Sequence, residues 1–144
     1  MGYVKIWIHL VWTTYKHQPV LTKDIRKEIF VHIKENANQK GIYVDHIGGY
    51  TDHVHCLLSL NGDQCISKIA QMLKGESTYW ANKKKLIKEK LKWQEEYFAV
   101  SVGDSYVQNV RNYIRNQEEH HKVKSFNEEY EEFLRLFGIK RFWG

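Results

Sequence analysis

One proline and two cysteines in 144 residues are the scarcest features of this sequence, and each scarcity closes off a class of protein. A lone proline, Pro19, leaves no proline-rich linker. Cys56 and Cys65 lack CxxC or other metal-ligand spacing, and two cysteines cannot make a disulfide scaffold. Structural zinc is therefore a poor reading, and both residues are expected as free thiols in a reducing cytoplasm. No apolar run is long enough to span a membrane, and the N-terminus does not read as a signal peptide. Repeats and low-complexity tracts are absent too. What is left is a single cytoplasmic domain over residues 1–144, with no membrane partner.

Charge is plentiful. Lysine and arginine number 22 against 17 acidic residues, a net charge of +5 that favours an acidic partner, nucleic acid first. Lys83, Lys84, Lys85, Lys88, Lys90 and Lys92 crowd one segment, whereas Glu118, Glu119, Glu128, Glu129, Glu131 and Glu132 come late. The plain reading of such runs is solvated helix faces. The four lysines Lys83, Lys84, Lys85 and Lys88, together with Arg111 and Arg115, are the residues placed to follow a phosphate backbone. Trp7, Tyr15 and Tyr79 could stack on unpaired bases.

Periodicity sets the order of elements. Val4, Ile6, Ile8, Leu10 and Trp12 alternate with Tyr3, Lys5, Trp7, His9 and Val11, which predicts a strand over 3–13. A helix follows from the N-cap Thr22 to about Asn38, and Gly41 ends it. A second strand covers 42–47, with Gly48 and Gly49 starting a turn. The third strand covers 53–60 and pairs with the second as an antiparallel hairpin. A helix begins near Ile66, is interrupted at Gly75 and resumes into the lysine-rich segment. A fourth strand covers 93–102. A helix then runs from Gly103 to about His121, and a last one from Phe126 to Leu136 ends at Gly138. The class is α+β: a ferredoxin-like split β-α-β-β-α-β unit with an antiparallel sheet and a C-terminal helical extension. The helices of such a unit share one sheet face and leave the other for function or association.

Two stretches carry chemistry. In His53-Val54-His55 the histidines are two residues apart on a strand, so both point to one face, while Val54, Cys56, Leu58 and Leu60 point to the other. Two adjacent imidazoles are half of a metal site or two polar-face residues. Register would place Trp7 and His9 beside them. The second stretch is the helix around Tyr113. Val107, Val110 and Ile114 make its core stripe, and Tyr113 and Gln117 lie one turn apart beside it. Periodicity alone makes Tyr113 a packing residue at the rim of that stripe. His46 reads as packing, and His120 and His121 as residues near a helix C-terminus, though they could add ligands.

The ordered set of Val11-Trp12-Thr13-Thr14, Asp52-His53-Val54-His55, Ser101-Val102 and Tyr113-Ile114-Arg115-Asn116-Gln117 resembles the single-tyrosine HUH transposases of bacterial and archaeal insertion sequences. The resemblance extends over nearly the whole chain. It implies His53, His55 and Gln117 as metal ligands and Tyr113 as the nucleophile, with the tyrosine on a helix after the last strand. It implies Mg²⁺ or Mn²⁺ as cofactor. The implied partners are single-stranded DNA with hairpins and a second copy of the chain, in a homodimer whose active sites are shared between subunits. One departure is Glu95-Glu96-Tyr97-Phe98, where relatives often carry glycine.

A tyrosine nucleophile suits a reaction that must be reversible. Its attack on a phosphodiester gives a 5′-phosphotyrosine and a free 3′-OH, and a second 3′-OH can reverse the step without ATP. A phenol titrates near pH 10, so a metal or base must help to deprotonate it. Two further functions stand beside this one. One is a domesticated nickase that uses the same residues on chromosomal repeats. The other is a non-catalytic single-stranded nucleic-acid binder on a ferredoxin-like sheet, against which the chain shows no RNP-type aromatic motif.

Overall fold

The computed structural model of the chain describes residues 2–121 and 124–136. Its elements run β1 (Ile6–Thr13), α1 (Lys23–Gln39), β2 (Tyr43–Gly49), β3 (His53–Leu60), α2 (Ile66–Lys83), β4 (Phe98–Val102), α3 (Val107–Arg115), α4 (Gln117–His120) and α5 (Phe126–Leu136). Single 3₁₀ turns at Tyr15–His17 and Asp104–Tyr106 lead out of β1 and into α3. The sheet order is β2-β3-β1-β4, and every neighbouring pair is antiparallel. This is the split βαβ arrangement that the alternation of patterns predicts. The expected end of the last helix at Gly138 lies outside the described residues.

Alternation on β1 and β3 builds the core. Leu10, Trp12, Val54, Cys56, Leu58 and Leu60 point to one face, where Ile29 and Ile33 of α1 and Ile69 and Leu73 of α2 close over them. Each such side chain contributes about 1.5–3 kcal/mol by leaving water. Burial also pushes the Cys56 thiol far up, so it stays protonated and inert. At the end of this core the Trp12 and Trp93 rings meet edge to face at 5.8 Å, and Trp93 Nε1 donates to Ser77 Oγ at 3.0 Å.

Several expectations change, and the first is that β1 starts at Ile6 rather than at 3. β4 begins at Phe98 rather than at 93, because Trp93 makes only an isolated bridge to Thr14 before the chain turns away. Gly75 does not interrupt α2: it faces open space, and the packing of Leu73 and Ser77 on either side outweighs its propensity cost of about 1 kcal/mol. Gly48 and Gly49 are inside β2 rather than in a turn. A Cβ on Gly48 would stand 2.7 Å from the Ile114 carbonyl oxygen, and one on Gly49 2.1 Å from that of His53. Both glycines are there for close backbone approach, and the turn itself falls at 50–52. The helix expected from Gly103 to His121 is divided at Asn116, whose backbone leaves helical geometry between α3 and α4.

The second sheet face is not left open. Leu57 on β3 packs against Val107, Val110 and Ile114 of α3, the stripe that the sequence shows, and Trp7 and Val102 flank it. That small apolar contact sets α3 across the strand that carries the histidines.

Candidate active site and metal centre

β3 carries His53 and His55 on the face opposite the main core, both almost fully buried. The second ring nitrogen of each is held. Asp52 Oδ1 lies 2.7 Å from His53 Nδ1, and His9 Nε2 lies 2.8 Å from His55 Nδ1. β1–β3 register pairs His9 with Leu57 and Val11 with His55, so His9 is the diagonal neighbour of His55 on the same face. Such partners fix a ring's orientation and tautomer, as they do around metal-binding histidines. Burial is the main cause that lowers His9 well below its ordinary value. It also brings His55 down to about 4, even though Glu129 works the other way. Asp52 is penalised by burial, yet the hydrogen bond and charge of His53 hold its carboxyl below the usual range. A carboxylate at Nδ1 accepts the N–H there and leaves the His53 Nε2 lone pair facing inward.

Seating Ile114 on the sheet turns its neighbour Tyr113 toward the histidines. The Tyr113 ring stands edge-on to His55 at 5.6 Å and to His9 at 6.1 Å. One turn later Gln117 is buried, with Oε1 3.0 Å from His53 Nε2. The four residues singled out in the sequence, His53, His55, Tyr113 and Gln117, thus meet within one chain. The basic residues do not join them. Lys83 and Lys84 close α2, on the other side of the sheet, with their ammonium groups over the Tyr79 and Trp80 rings. Lys85 and Lys88 follow, exposed. Arg111 forks onto Asp45 at 2.8 and 2.9 Å, and Arg115 reaches His46 Nε2 at 3.1 Å. His46 is also bonded to Asp45 at 2.6 Å, which ties it to β2.

A further group completes the site, and sequence reasoning missed it. Glu129 of α5 is only 3% exposed, although its neighbour Glu128 faces solvent. Its Oε1 lies 3.2 Å from His55 Nε2, 3.5 Å from His53 Nε2 and 3.0 Å from His121 Nε2. Its Oε2 accepts from Gln117 Nε2 at 2.8 Å and from the Tyr113 hydroxyl, and lies 3.4 Å from His120 Nε2. Burial alone would raise this carboxyl, but hydrogen bonds from His121, His55 and Tyr113 hold it far below the usual carboxylate range. The same contact raises the Tyr113 phenol well above its ordinary value, with burial the larger cause and the Glu129 charge the next. His121 is raised because Glu129 outweighs its desolvation. The available signal was position: Glu129 lies between Phe126 and Tyr130 on the face of α5 that turns inward. There Phe126 meets the His53 ring at 4.7 Å and Tyr130 meets Phe98 at 5.4 Å.

The donor set fits a divalent ion. Gln117 donates its amide hydrogens to Glu129, which turns Oε1 toward His53 Nε2, so two lone-pair donors face each other at 3.0 Å. A cation between them resolves that contact. The separations of 3.0, 3.2 and 3.5 Å are close to the about 3 Å between adjacent ligands of an octahedral ion bound at ~2.1 Å. His53, His55 and Glu129 offer ligand atoms within 4.8 Å of one another.

Comparison with known proteins bears on the family and the fold. The family described as "Transposase IS200 like" matches residues 3–117. The ISDra2 transposase TnpA of Deinococcus radiodurans is 32% identical over 124 residues, covering 81% of this chain and 87% of that protein. A crystal structure of a transposase from Deinococcus radiodurans superposes with a TM-score of 0.65 at 25% identity, covering 81% of this chain and 95% of the other. The REP-associated tyrosine transposase bound to a REP hairpin shares the fold, with a TM-score of 0.57 at 17% identity over 84% and 72% of the two chains. The matched segment contains His53, His55, Tyr113 and Gln117 and stops short of Glu129.

Proposed function

This chain belongs to the IS200-like transposase family, whose activity is DNA cleavage and transfer, and on that premise we propose that it cuts and rejoins single-stranded DNA through Tyr113. The observation that carries the proposal is the convergence of the Tyr113 ring, the His53–His55 pair and Gln117 on one buried point of the sheet. In the proposed reaction the Tyr113 oxygen bonds to the scissile phosphorus, and the bond from phosphorus to the 3′ oxygen breaks. The leaving oxygen takes a proton as 3′-OH. Rejoining runs the same step backward, with a 3′-OH attacking the phosphotyrosine.

Each side chain has a task in this scheme. His53, His55 and Gln117 would hold a divalent ion, Mg²⁺ or Mn²⁺, with imidazoles shifting the preference toward Mn²⁺. When bound, such an ion polarises a phosphate oxygen and stabilises the charge that develops on it. Asp52 and His9 keep the two rings in ligating orientation. The Tyr113 hydroxyl donates to Glu129, a contact that orients the phenol and favours its protonated form, so deprotonation would call on the bound ion or a base.

Hairpin-marked single-stranded DNA is the proposed substrate. The structural relative bound to a REP hairpin supports it, as do the net charge of +5 and the exposed Lys83, Lys84, Lys85 and Lys88. Arg111 and Arg115 would contribute from the α3 side. The cytoplasm, where the DNA lies, is the proposed location; among the described residues no helix is long and apolar enough to cross a membrane. We take the functional unit to be a homodimer with sites shared between subunits, on the strength of the family resemblance, while each chain also holds its own complete set of these side chains. Mixing His53→Ala with Tyr113→Phe subunits tests the sharing: activity returns if Tyr113 serves the other subunit's histidines, and stays absent if every site is built within one chain.

The test of the reaction is an incubation with single-stranded hairpin DNA and Mn²⁺, followed by a denaturing gel. Wild type should give a covalent protein–DNA band that disappears with Tyr113→Phe and with chelation. A band that survives Tyr113→Phe rules out the nucleophile.

A further inference from the structure

We infer that Glu129, on the C-terminal helix beyond the segment shared with the family, is itself a ligand of the ion, making the centre a two-histidine, one-glutamate, one-glutamine set. The inference rests on the reading of the histidine pair as a metal site. It deepens that reading by adding an anionic ligand from an element that the family match does not cover.

Geometry and chemistry both point to it. Glu129 Oε1 lies within 3.5 Å of both inward ring nitrogens, at 3.2 Å from His55 Nε2 and 3.5 Å from His53 Nε2. Gln117 Oε1 lies 3.0 Å from His53 Nε2. The His53, His55 and Glu129 ligand atoms lie within 4.8 Å of one another, and the exposure of Glu129 is 3%. A buried carboxylate needs compensating positive charge, and a divalent ion on the two imidazoles would supply it. The carboxylate also adds a hard oxygen donor, which moves the set toward Mn²⁺ and Mg²⁺. A rival grouping of His120, His121 and Glu129 exists. The Lys124 carbonyl holds His121 Nδ1 at 2.7 Å, but His120 is only half-buried on the four-residue α4, so that pair lacks the matched burial of His53 and His55.

One consequence is structural. Oε1 belongs to the ion while Oε2 holds Tyr113 and Gln117, so a single carboxylate links ion, nucleophile and α5. The ion would then fasten the C-terminal helix over the site.

Direct Mn²⁺ titration tests this without reference to activity, with free Mn²⁺ read by electron paramagnetic resonance. Wild type should bind one ion. Glu129→Gln keeps the size and removes the anionic ligand, and should weaken binding by about 10-fold or more. Glu129→Asp should recover part of that loss, and Glu128→Gln on the solvent side should change nothing. His53→Ala should abolish binding. If Glu129→Gln binds as tightly as wild type while His53→Ala does not bind, Glu129 is no ligand and the inference is overturned. If His53→Ala also binds normally, the metal reading of the histidine pair fails, and the inference with it.

Discussion

On β3, Val54, Cys56, Leu58 and Leu60 face α1 and α2, whereas His53, His55 and Leu57 face α3 and α5. The first face is closed by area. Its members are interchangeable in kind, and what matters is that each is apolar and fits. The second face is as deeply buried, but only Leu57 and three residues of α3 form its apolar contact. Its remainder is closed partner by partner: Asp52 on His53, His9 on His55, Gln117 on His53, and Glu129 on His55, Tyr113 and Gln117. One strand therefore serves two kinds of interior. The apolar side sets the fold, and the polar side spends that rigidity on holding donor atoms at fixed separations.

The largest expected separation between the faces is in chemistry. Tyr113→Phe should reduce DNA cleavage to background while folding stability moves by no more than about 1–3 kcal/mol, the range for one buried hydrogen bond. Cleavage assays and urea denaturation on the same preparation check it. The converse change is Leu58→Ala on the apolar face. It should cost about 2–5 kcal/mol of stability and leave the Mn²⁺ affinity of the folded protein as in wild type; a large fall in affinity would mean that the two faces are not separable.

A smaller effect is expected at the seam between β2 and α3. Gly48→Ala puts a methyl group 2.7 Å from the Ile114 carbonyl oxygen, so α3 must shift. Overpacking of this kind costs about 1–3 kcal/mol. Because Tyr113 precedes Ile114, cleavage should fall more than stability alone explains, which single-turnover assays on folded protein would show.

The smallest expected effect is on acid sensitivity. His9 is held well below its ordinary value and His55 at about 4, in both cases chiefly by burial. The unfolded chain titrates its histidines near 6.5. Between those values the unfolded state binds more protons, so stability is complete above pH ~6.5 and declines as pH falls toward about 4. His121, raised by Glu129 against its burial, acts in the opposite sense: its contribution is present below pH ~6.5 and is lost as pH rises through its folded value. His120 is lowered too, chiefly by burial, and three depressed histidines against one raised leave a net loss in acid. Urea midpoints at pH 7 and pH 5 should show it, and His55→Gln should flatten the slope.

The sequence is legible wherever one residue type has one meaning in a period. Alternation alone gives β3 its ends at His53 and Leu60 and sorts its two faces correctly. The 3.6-residue stripe of Val107, Val110 and Ile114 marks the buried side of α3, but the period does not say that it seats on the histidine face; the pairing of Tyr113 and Gln117 with the histidines is implied by the family resemblance alone. Glycine is less legible, since its meaning depends on what lies opposite. Gly48 faces the α3 backbone, whereas Gly75 faces nothing, and neither sequence context says so. Glu129 was the least legible. Among Glu128, Glu131 and Glu132 it reads as one more solvated acid, and only the docking of Phe126 and Tyr130 shows that α5 turns that one carboxylate inward.

The central claim is that the polar face of β3 is a phosphotyrosine site, and the most direct measurement is the identity of the residue that becomes linked to DNA. Single-stranded hairpin DNA is incubated with protein and Mn²⁺, the adduct is digested with protease and nuclease, and the nucleotide-bearing peptide is sequenced by mass spectrometry. The account predicts a 5′-phosphate on the phenolic oxygen of Tyr113 and on no other tyrosine. A nucleotide on a different residue, or cleaved DNA with no linked peptide, would contradict it.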